Sequence, residues 1–175
     1  MKGPLFYSKI LLFGEYGIIK DSKGLSIPYS FYKGALKTDQ DPNHSAIESN
    51  LNLKKFIQYL ATLDASLVTF NSDQLQKDVN EGMYFDSSIP QGYGVGSSGA
   101  LVAAIYDKYA NDKITVLENL TREKLLKLKA VFSEMESFFH GKSSGLDPLN
   151  SYLSIPILIN SQDNIEATGI PSQNT

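Results

Sequence analysis

The sequence contains no cysteine and only two histidines, His44 and His140, among its 175 residues. Without thiols the chain has no disulfide, no thiolate nucleophile and no zinc–thiolate centre, and two histidines do not by themselves complete a structural zinc site. Any metal ion that the protein uses is therefore expected to be one that prefers oxygen ligands, such as Mg²⁺.

The chain also lacks a surplus of positive charge and a long apolar run. Its 16 Lys and Arg residues stand against 19 Asp and Glu residues, which gives a formal net charge of -3 and no driving force for binding a phosphate backbone. No stretch approaches the ~18 consecutive apolar residues of a membrane span, and Lys9, Gly14 and Glu15 interrupt the N-terminal apolar segment, which has no signal-peptide cleavage site. We therefore expect no nucleic-acid partner, no membrane association and a soluble, cytoplasmic protein.

The order of the predicted elements favours an α+β fold. A hydrophobic content of 42% is enough for one sizeable core, and strands and helices do not alternate regularly as in a parallel sheet. Residues 160–175 are polar without apolar periodicity, so no element is predicted there. Strands are predicted at 9–13, within 25–38, at 83–89 and at 155–159, and helices at about 45–63, 72–81, 97–111, 121–140 and 144–153.

Three of these helices have candidate N-terminal caps. Ser45 followed three residues later by Glu48 is a capping box. Residues 72–73, a serine and an aspartate, are candidate caps for the second helix, and Thr121 precedes the charged first turn of the long helix. The caps predict where each helix begins.

The most unusual stretch is 92–99, Gly-Tyr-Gly-Val-Gly-Ser-Ser-Gly, which leads directly into an apolar helix. Glycines at alternate positions leave backbone N–H groups unshielded by side chains, and the helix that begins at Ser97 adds the positive end of its dipole. This arrangement favours a phosphate ligand. A tight turn that needs positive φ is the structural alternative.

Two other phosphate-binding motifs fit less well. Residues 94–99 match the spacing of the dinucleotide-binding fingerprint, but polar residues and a proline in 86–90 stand where an apolar strand should lead into the first glycine. Residues 141–143 resemble the end of a P-loop, but Glu136 occupies the position of its first glycine and the segment follows a helix. Neither motif explains the glycine-rich stretch.

Three separated segments of the chain resemble the GHMP kinase family, specifically its mevalonate-kinase-like branch. Residues 9–16, Lys-Ile-Leu-Leu-Phe-Gly-Glu-Tyr, are similar to the opening strand motif of the family, and residues 90–100 are similar to its ATP-phosphate loop. The third segment runs from Glu136 to Asp147, and these two acids stand eleven positions apart, as do the magnesium ligand and the catalytic aspartate of the family. The resemblance covers roughly residues 5–160.

The resemblance implies a ribosomal-protein-S5-domain-2-like N-terminal domain of a GHMP kinase, with ATP and Mg²⁺ as cofactors. In this family the γ-phosphoryl group passes to a hydroxyl, which requires charge neutralisation and positioning. The resemblance implies that Asp147 orients or deprotonates the acceptor hydroxyl and that Lys9 pairs with Asp147. It also implies that Ser98 and Glu136 hold Mg²⁺.

The resemblance also assigns residues to the phosphates and to the substrate. Glu15, Tyr16 and His140 are expected on the substrate side, although Glu15 as part of a turn and His140 as a structural histidine are equally good interpretations. The loop residues that the resemblance assigns to the phosphates of ATP are Gly92, Gly94, Gly96, Ser97, Ser98 and Gly99.

Each proposed catalytic residue has an ordinary structural interpretation when it is taken alone. Lys9 could be a surface lysine on a strand, Glu136 one more charge on a helix face, and Asp147 a helix cap. Their joint order and spacing around the glycine-rich stretch favours a kinase site instead. Convergence of the three side chains on one cleft would distinguish an enzyme from a domain that binds nucleotide without catalysis.

Mevalonate is the expected acceptor, with phosphomevalonate or a sugar as alternatives within the family. A non-catalytic nucleotide-binding module is the alternative of a different class. An RNA-binding domain with an S5-like fold is suggested by fold analogy only and is opposed by the net charge of -3.

The resemblance also predicts how the chain is organised. Residues 1–160 are expected to form the N-terminal, ATP-binding domain, and 161–175 a polar tail or linker towards a C-terminal domain that would contribute the third glycine-rich motif of the family. We therefore expect little turnover from this chain alone and self-association through surface that the other domain would cover. The sequence departs from the family at two places. Gly99 stands in place of alanine, which is expected to be a mild change. Residues 148–156 also differ from the family, so the resemblance does not define the acceptor pocket.

Overall fold

The computed structural model describes residues 4–13, 23–94, 96–115, 120–161 and 164–167. Glu15 and Tyr16, predicted to lie on the substrate side, fall outside the described residues. The elements of the described part, in chain order, are β1 Phe6–Phe13, β2 Gly24–Thr38, α1 His44–Leu60, α2 Ser72–Asn80, β3 Met83–Ser87, α3 Ser97–Tyr109, α4 Arg122–His140, α5 Leu146–Leu153, β4 Ile157–Ser161 and β5 Asn164–Ala167.

The five strands form one sheet with antiparallel pairing, and the long strand β2 lies at its centre. β1 pairs along one edge of β2, from Phe6 opposite Gly34 to its end opposite Leu25. On the other edge, β3 pairs with the C-terminal end of β2 and β4 with its N-terminal end, and β5 extends the sheet from β4. An antiparallel sheet combined with helices confirms the α+β fold class.

Helix α3 lies in the middle of the core. Residues 102–105 are each at most 1% exposed, and α3 contacts β1, β2, α2, α4 and α5. On α4, Phe132 is fully buried and its ring meets the ring of Tyr106 edge-on at 5.0 Å. Because each large apolar side chain that is fully buried contributes about 1.5–3 kcal/mol, this packing fixes the position of α3 and of its N-terminus, where the glycine-rich stretch ends.

The capping box predicted at Ser45 and Glu48 is wrong. Helix α1 begins at His44, and its N-cap is Asn43, two residues before Ser45; the Asn43 side chain accepts a hydrogen bond from the backbone N–H of Ala46 at 2.9 Å. Asparagine is as good an N-cap as serine, so residue type alone does not distinguish Asn43 from Ser45 as the cap.

The caps predicted for α2 and α4 have different outcomes. The N-cap of α2 is Asn71, which accepts from the N–H of Gln74 at 3.2 Å, so the caps predicted at residues 72–73 are wrong by one or two positions. The N-cap of α4 is Thr121, which accepts from the N–H of Lys124 at 3.2 Å. That prediction is confirmed.

Strand β5 lies in the segment where no element was predicted. It pairs with β4 through Ile165, which is opposite Ile159 and only 1% exposed. A four-residue strand with a single buried aliphatic side chain leaves no periodic signal in the sequence. Among the described helices, none is both long and apolar enough to cross a lipid bilayer.

Candidate active site

The glycine loop, defined here by Gly92, Gly94 and Gly96, leads into the N-terminus of α3. These three residues have φ angles of 79°, 68° and 83°, a region of backbone conformation that favours glycine. Gly96 is the N-cap of α3 and has no side chain to cap it. The first amides of α3 therefore have neither an intrahelical acceptor nor a cap, and together with the helix dipole they favour an anion.

Lys9 and Asp147 meet beside Gly96. The Nζ atom of Lys9, on β1, lies 3.1 Å from Oδ1 of Asp147, in the first turn of α5. A Cβ atom placed on Gly96 would lie 3.3 Å from Cγ of Lys9 and 3.8 Å from Cβ of Asp147. The lysine side chain is 13% exposed and the aspartate side chain 35%, so solvent reaches this ion pair mainly from the aspartate side. The structure thus brings the two residues of the predicted catalytic pair together at the glycine loop.

Ser98 and Glu136 form a second group at the same end of α3. The hydroxyl of Ser98 donates to Oε1 of Glu136 at 2.8 Å, and Nε2 of His140 lies 2.9 Å from the same hydroxyl oxygen. Glu136 is only 3% exposed and is the one charged residue among the buried residues of α4. The predicted metal ligands are therefore in direct contact.

The environment of Glu136 disfavours its negative charge. Burial raises the pKa of the Glu136 carboxyl above its ordinary value, and the nearby Asp147 carboxylate raises it further, while hydrogen bonds from Ser143 and Ser98 and the charge of His140 act in the opposite direction. Since the charged carboxylate is poorly solvated here, a cation placed beside it would be bound favourably.

A cleft with a volume of about 640 Å³ opens on the Ser98 side of the glycine loop. The starts of α1 and α3, strand β3 and the end of α4 surround it, and Gly92, Ser97, Ser98 and His140 are among the residues that line it. This volume is within the range of small-molecule sites. The structure places His140 in this cleft, next to Ser98, and its predicted role in binding substrate stays a prediction.

The family model for the N-terminal domain of GHMP kinases matches residues 56–154, more than half of the chain. This chain belongs to the GHMP kinase family. A comparison with curated proteins gave no match.

Solved structures of mevalonate kinases share the fold of this GHMP kinase domain. The enzyme of Methanococcus jannaschii aligns with a TM-score of 0.54 and 15% identity over 97% of this chain and 56% of that chain. The enzyme of L. major, solved in complex with R-mevalonate, aligns with a TM-score of 0.50 and 19% identity over 90% of this chain and 51% of that chain. The chain thus spans about half the length of these two structures. The predicted membership in the GHMP kinase family, as an N-terminal domain, is confirmed, and the likeness to mevalonate kinases is one of fold.

The contacting oxygens of Ser98 and Glu136 fit a Mg²⁺ ion that arrives with a nucleotide. Mg²⁺ in phosphoryl-transfer sites is bound by one or two protein oxygens, waters and the substrate phosphates, not by a cage of protein ligands. Within the described ranges, no group of three His, Asp or Glu side chains is arranged to hold a metal ion. The donor set of this GHMP kinase domain therefore suits a metal shared with phosphate and does not suit a permanent metal centre.

Replacing Glu136 by glutamine is expected to stabilise the fold at neutral pH by about 1 kcal/mol, as substitutions of strained functional residues often do. Because burial raises the pKa of Glu136, the native state keeps this proton to a higher pH than the unfolded chain. The wild type therefore loses stability, relative to the variant, as the pH rises from the unfolded pKa through the folded one. Urea unfolding of both proteins at acid and neutral pH measures this, and a difference that does not grow with pH would contradict it.

Gly99 packs directly against the start of α5. A Cβ atom placed on it would lie 2.8 Å from both the carbonyl carbon of Asp147 and the nitrogen of Pro148. This distance is too short for a contact, and backbone atoms of this kind cannot move aside without moving α5. The sequence suggested that glycine in place of alanine is a mild change here. In this structure the missing side chain is instead what allows α3 and α5 to approach.

The Gly99→Ala variant is expected to lose about 2 kcal/mol of stability, a typical cost of overpacking, because α5 must shift away from α3. Urea unfolding measures the loss, with Ser97→Ala in the same helical turn as the control. A loss of stability no larger than that of the control would show that α5 can move away from α3 at little cost in free energy.

Sequence reasoning missed the side of the cleft that α1 and β3 form. Asn43, which caps α1, and Glu48 of α1 line it together with Tyr84 and Asp86 of β3. The sequence marked Glu48 only as part of a capping box, and no motif or spacing marks the other three residues. Only the packing of α1 on β3 brings them to the glycine loop.

Proposed function

We propose that this protein transfers the γ-phosphoryl group of ATP to the hydroxyl of a small alcohol, with Mg²⁺ as the accompanying metal ion. The observation that supports this most strongly is the position of the Lys9–Asp147 ion pair against Gly96, with 3.1 Å between Nζ and Oδ1. A proton acceptor and a cation lie next to a loop whose amides favour phosphate. This combination is what in-line phosphoryl transfer requires.

In the proposed reaction each residue acts at a defined atom. The amides at the start of α3 bind the phosphates of ATP, and Ser98 and Glu136 would hold the Mg²⁺ ion, which neutralises phosphate charge when it is bound. Asp147 accepts the proton of the acceptor hydroxyl while the hydroxyl oxygen forms a bond to the γ-phosphorus and the bond from that phosphorus to ADP breaks. Lys9 stabilises the negative charge that develops on the attacking oxygen.

Mevalonate is the proposed acceptor, and phosphomevalonate or a sugar are alternatives of the same reaction class. The likeness to solved mevalonate kinases supports this choice through the fold alone. A nucleotide-binding module without transfer is the second candidate, because neither Lys9 nor Asp147 is among the described residues that line the cleft beside Ser98.

A single-turnover assay tests the proposal. The protein is held in excess over radiolabelled ATP with Mg²⁺, and each acceptor is supplied in turn, so that slow transfer is also detected. We expect a labelled phosphate ester of mevalonate, formed faster than ATP is hydrolysed without acceptor. Binding of ATP with no transfer to any of the acceptors would favour the nucleotide-binding module.

A further inference from the structure

Ser143 lies in the loop between α4 and α5, and its hydrogen bonds join both helices. Its hydroxyl donates to Oε2 of Glu136 and accepts from the backbone N–H of Gly145 at 3.0 Å. Its carbonyl oxygen accepts from the hydroxyl of Ser133 on α4. These three hydrogen bonds fix both the position of Ser143 and the direction of its hydroxyl proton.

The two oxygens of the Glu136 carboxylate are held by different hydroxyls. Ser98 donates to Oε1 and Ser143 donates to Oε2. A divalent cation that is bound by the Ser98 hydroxyl oxygen and by Oε1 would replace the hydrogen bond between them. The hydrogen bond from Ser143 lies on the other oxygen, so it remains to orient the carboxylate.

Ser143 also connects Glu136 to the helix on which Asp147 lies. The N–H group that it accepts from belongs to Gly145, which is the N-cap of α5. Asp147 is in the first turn of that helix. A change in the position of Ser143 would thus alter the hydrogen bonds both of the Glu136 carboxylate and of the start of α5.

We propose that Ser143 is a positioning residue that holds the Glu136 carboxylate in the orientation needed to bind the divalent cation of a metal–nucleotide complex. This inference rests on the proposed function, because it requires that Glu136 binds such a cation. Partners of this kind, which orient a metal ligand, typically change metal affinity about 10- to 100-fold when they are removed.

The test compares metal affinity with metal-free nucleotide affinity in the 175-residue chain. Binding of Mn²⁺ in the presence of ATP is followed by electron paramagnetic resonance, and binding of ATP without metal is measured in EDTA. The variants are Ser143→Ala, Ser143→Thr and Glu136→Gln. Ser137→Ala is the matched control, since the Ser137 hydroxyl donates to the carbonyl of Ser133 within α4 and, among the described residues, has no hydrogen bond to Glu136.

We expect Ser143→Ala to weaken Mn²⁺ binding about 10-fold without weakening ATP binding in EDTA, and Ser143→Thr to restore it. Equal losses with and without metal would show a structural role only and would overturn the inference. Wild-type metal affinity in Ser143→Ala, together with a loss in Glu136→Gln, would overturn the role of Ser143 and leave the proposed function standing. Equal metal binding by the wild type and Glu136→Gln would overturn the metal assignment in the proposed function as well.

Discussion

Replacing Asp147 by asparagine is expected to slow phosphoryl transfer by about 10²- to 10⁴-fold, the usual contribution of a positioned general base, while ATP still binds. Asparagine keeps the shape of the side chain but neither accepts the hydroxyl proton nor attracts Lys9, whose Nζ lies 3.1 Å from Oδ1 in the wild type. The phosphate-facing amides at the start of α3 are unchanged by this substitution. The single-turnover rate with ATP, Mg²⁺ and mevalonate measures the effect.

The chain offers a matched control for this substitution. Asp107 forms an ion pair with Lys113 at the same 3.1 Å, and its side chain is 30% exposed compared with 35% for Asp147. Asp107 lies on α3, ten residues beyond Ser97, so its ion pair is not at the glycine loop. Asp107→Asn should transfer phosphate at the wild-type rate. Equal losses of rate in the two variants would mean that the loss of an ion pair in general, and not the chemistry of Asp147, explains the effect.

Replacing Gly145 by alanine is expected to destabilise the protein by about 3 kcal/mol or more, the range for strained backbone combined with overpacking. Gly145 has a φ of 76°, and a Cβ atom placed on it would lie 2.3 Å from the carbonyl oxygen of Lys129 and 2.7 Å from the nitrogen of Ser133. Both are backbone atoms inside α4, which cannot move aside without breaking the helix. The junction of α4 and α5 therefore requires glycine at this position.

Gly141 separates the two causes of that loss. Its φ is 70°, close to that of Gly145, but no heavy atom lies within 4 Å of a Cβ placed there. Gly141→Ala should therefore cost only the strain of its sparsely populated backbone conformation, with φ 70° and ψ -38°, about 1–3 kcal/mol. Urea unfolding of both variants measures the difference, and similar losses for the two would show that the contact with α4 contributes nothing.

The chemistry of the site was easier to predict from the sequence than its surroundings. Alternating glycines before an apolar helix have a direct physical consequence for phosphate, and the joint order and spacing of Lys9, Glu136 and Asp147 favoured a kinase site. The structure brings Lys9 to Asp147 and Ser98 to Glu136, although the roles of these residues stay predictions.

Other features depended on packing that no local pattern records. Asn43 caps α1 because its backbone is extended and its side chain accepts from the N–H of Ala46, and Ser45 would have served equally well in isolation. Gly99 is required because the backbone of residues 147–148 lies against it, and this neighbour is distant in sequence. Strand β5 forms because β4 offers an edge for Ile165, and four residues are too few to show a period.

Calorimetric titration of the protein with ATP and Mg²⁺ tests the central claim most directly, with Glu136→Ala and Asp147→Asn measured beside the wild type. If the glycine loop binds phosphate and Glu136 binds the metal, the wild type binds ATP, Glu136→Ala binds it more weakly in Mg²⁺, and Asp147→Asn binds it like the wild type. Absence of ATP binding by the wild type, or equal binding by Glu136→Ala in Mg²⁺, would contradict the account.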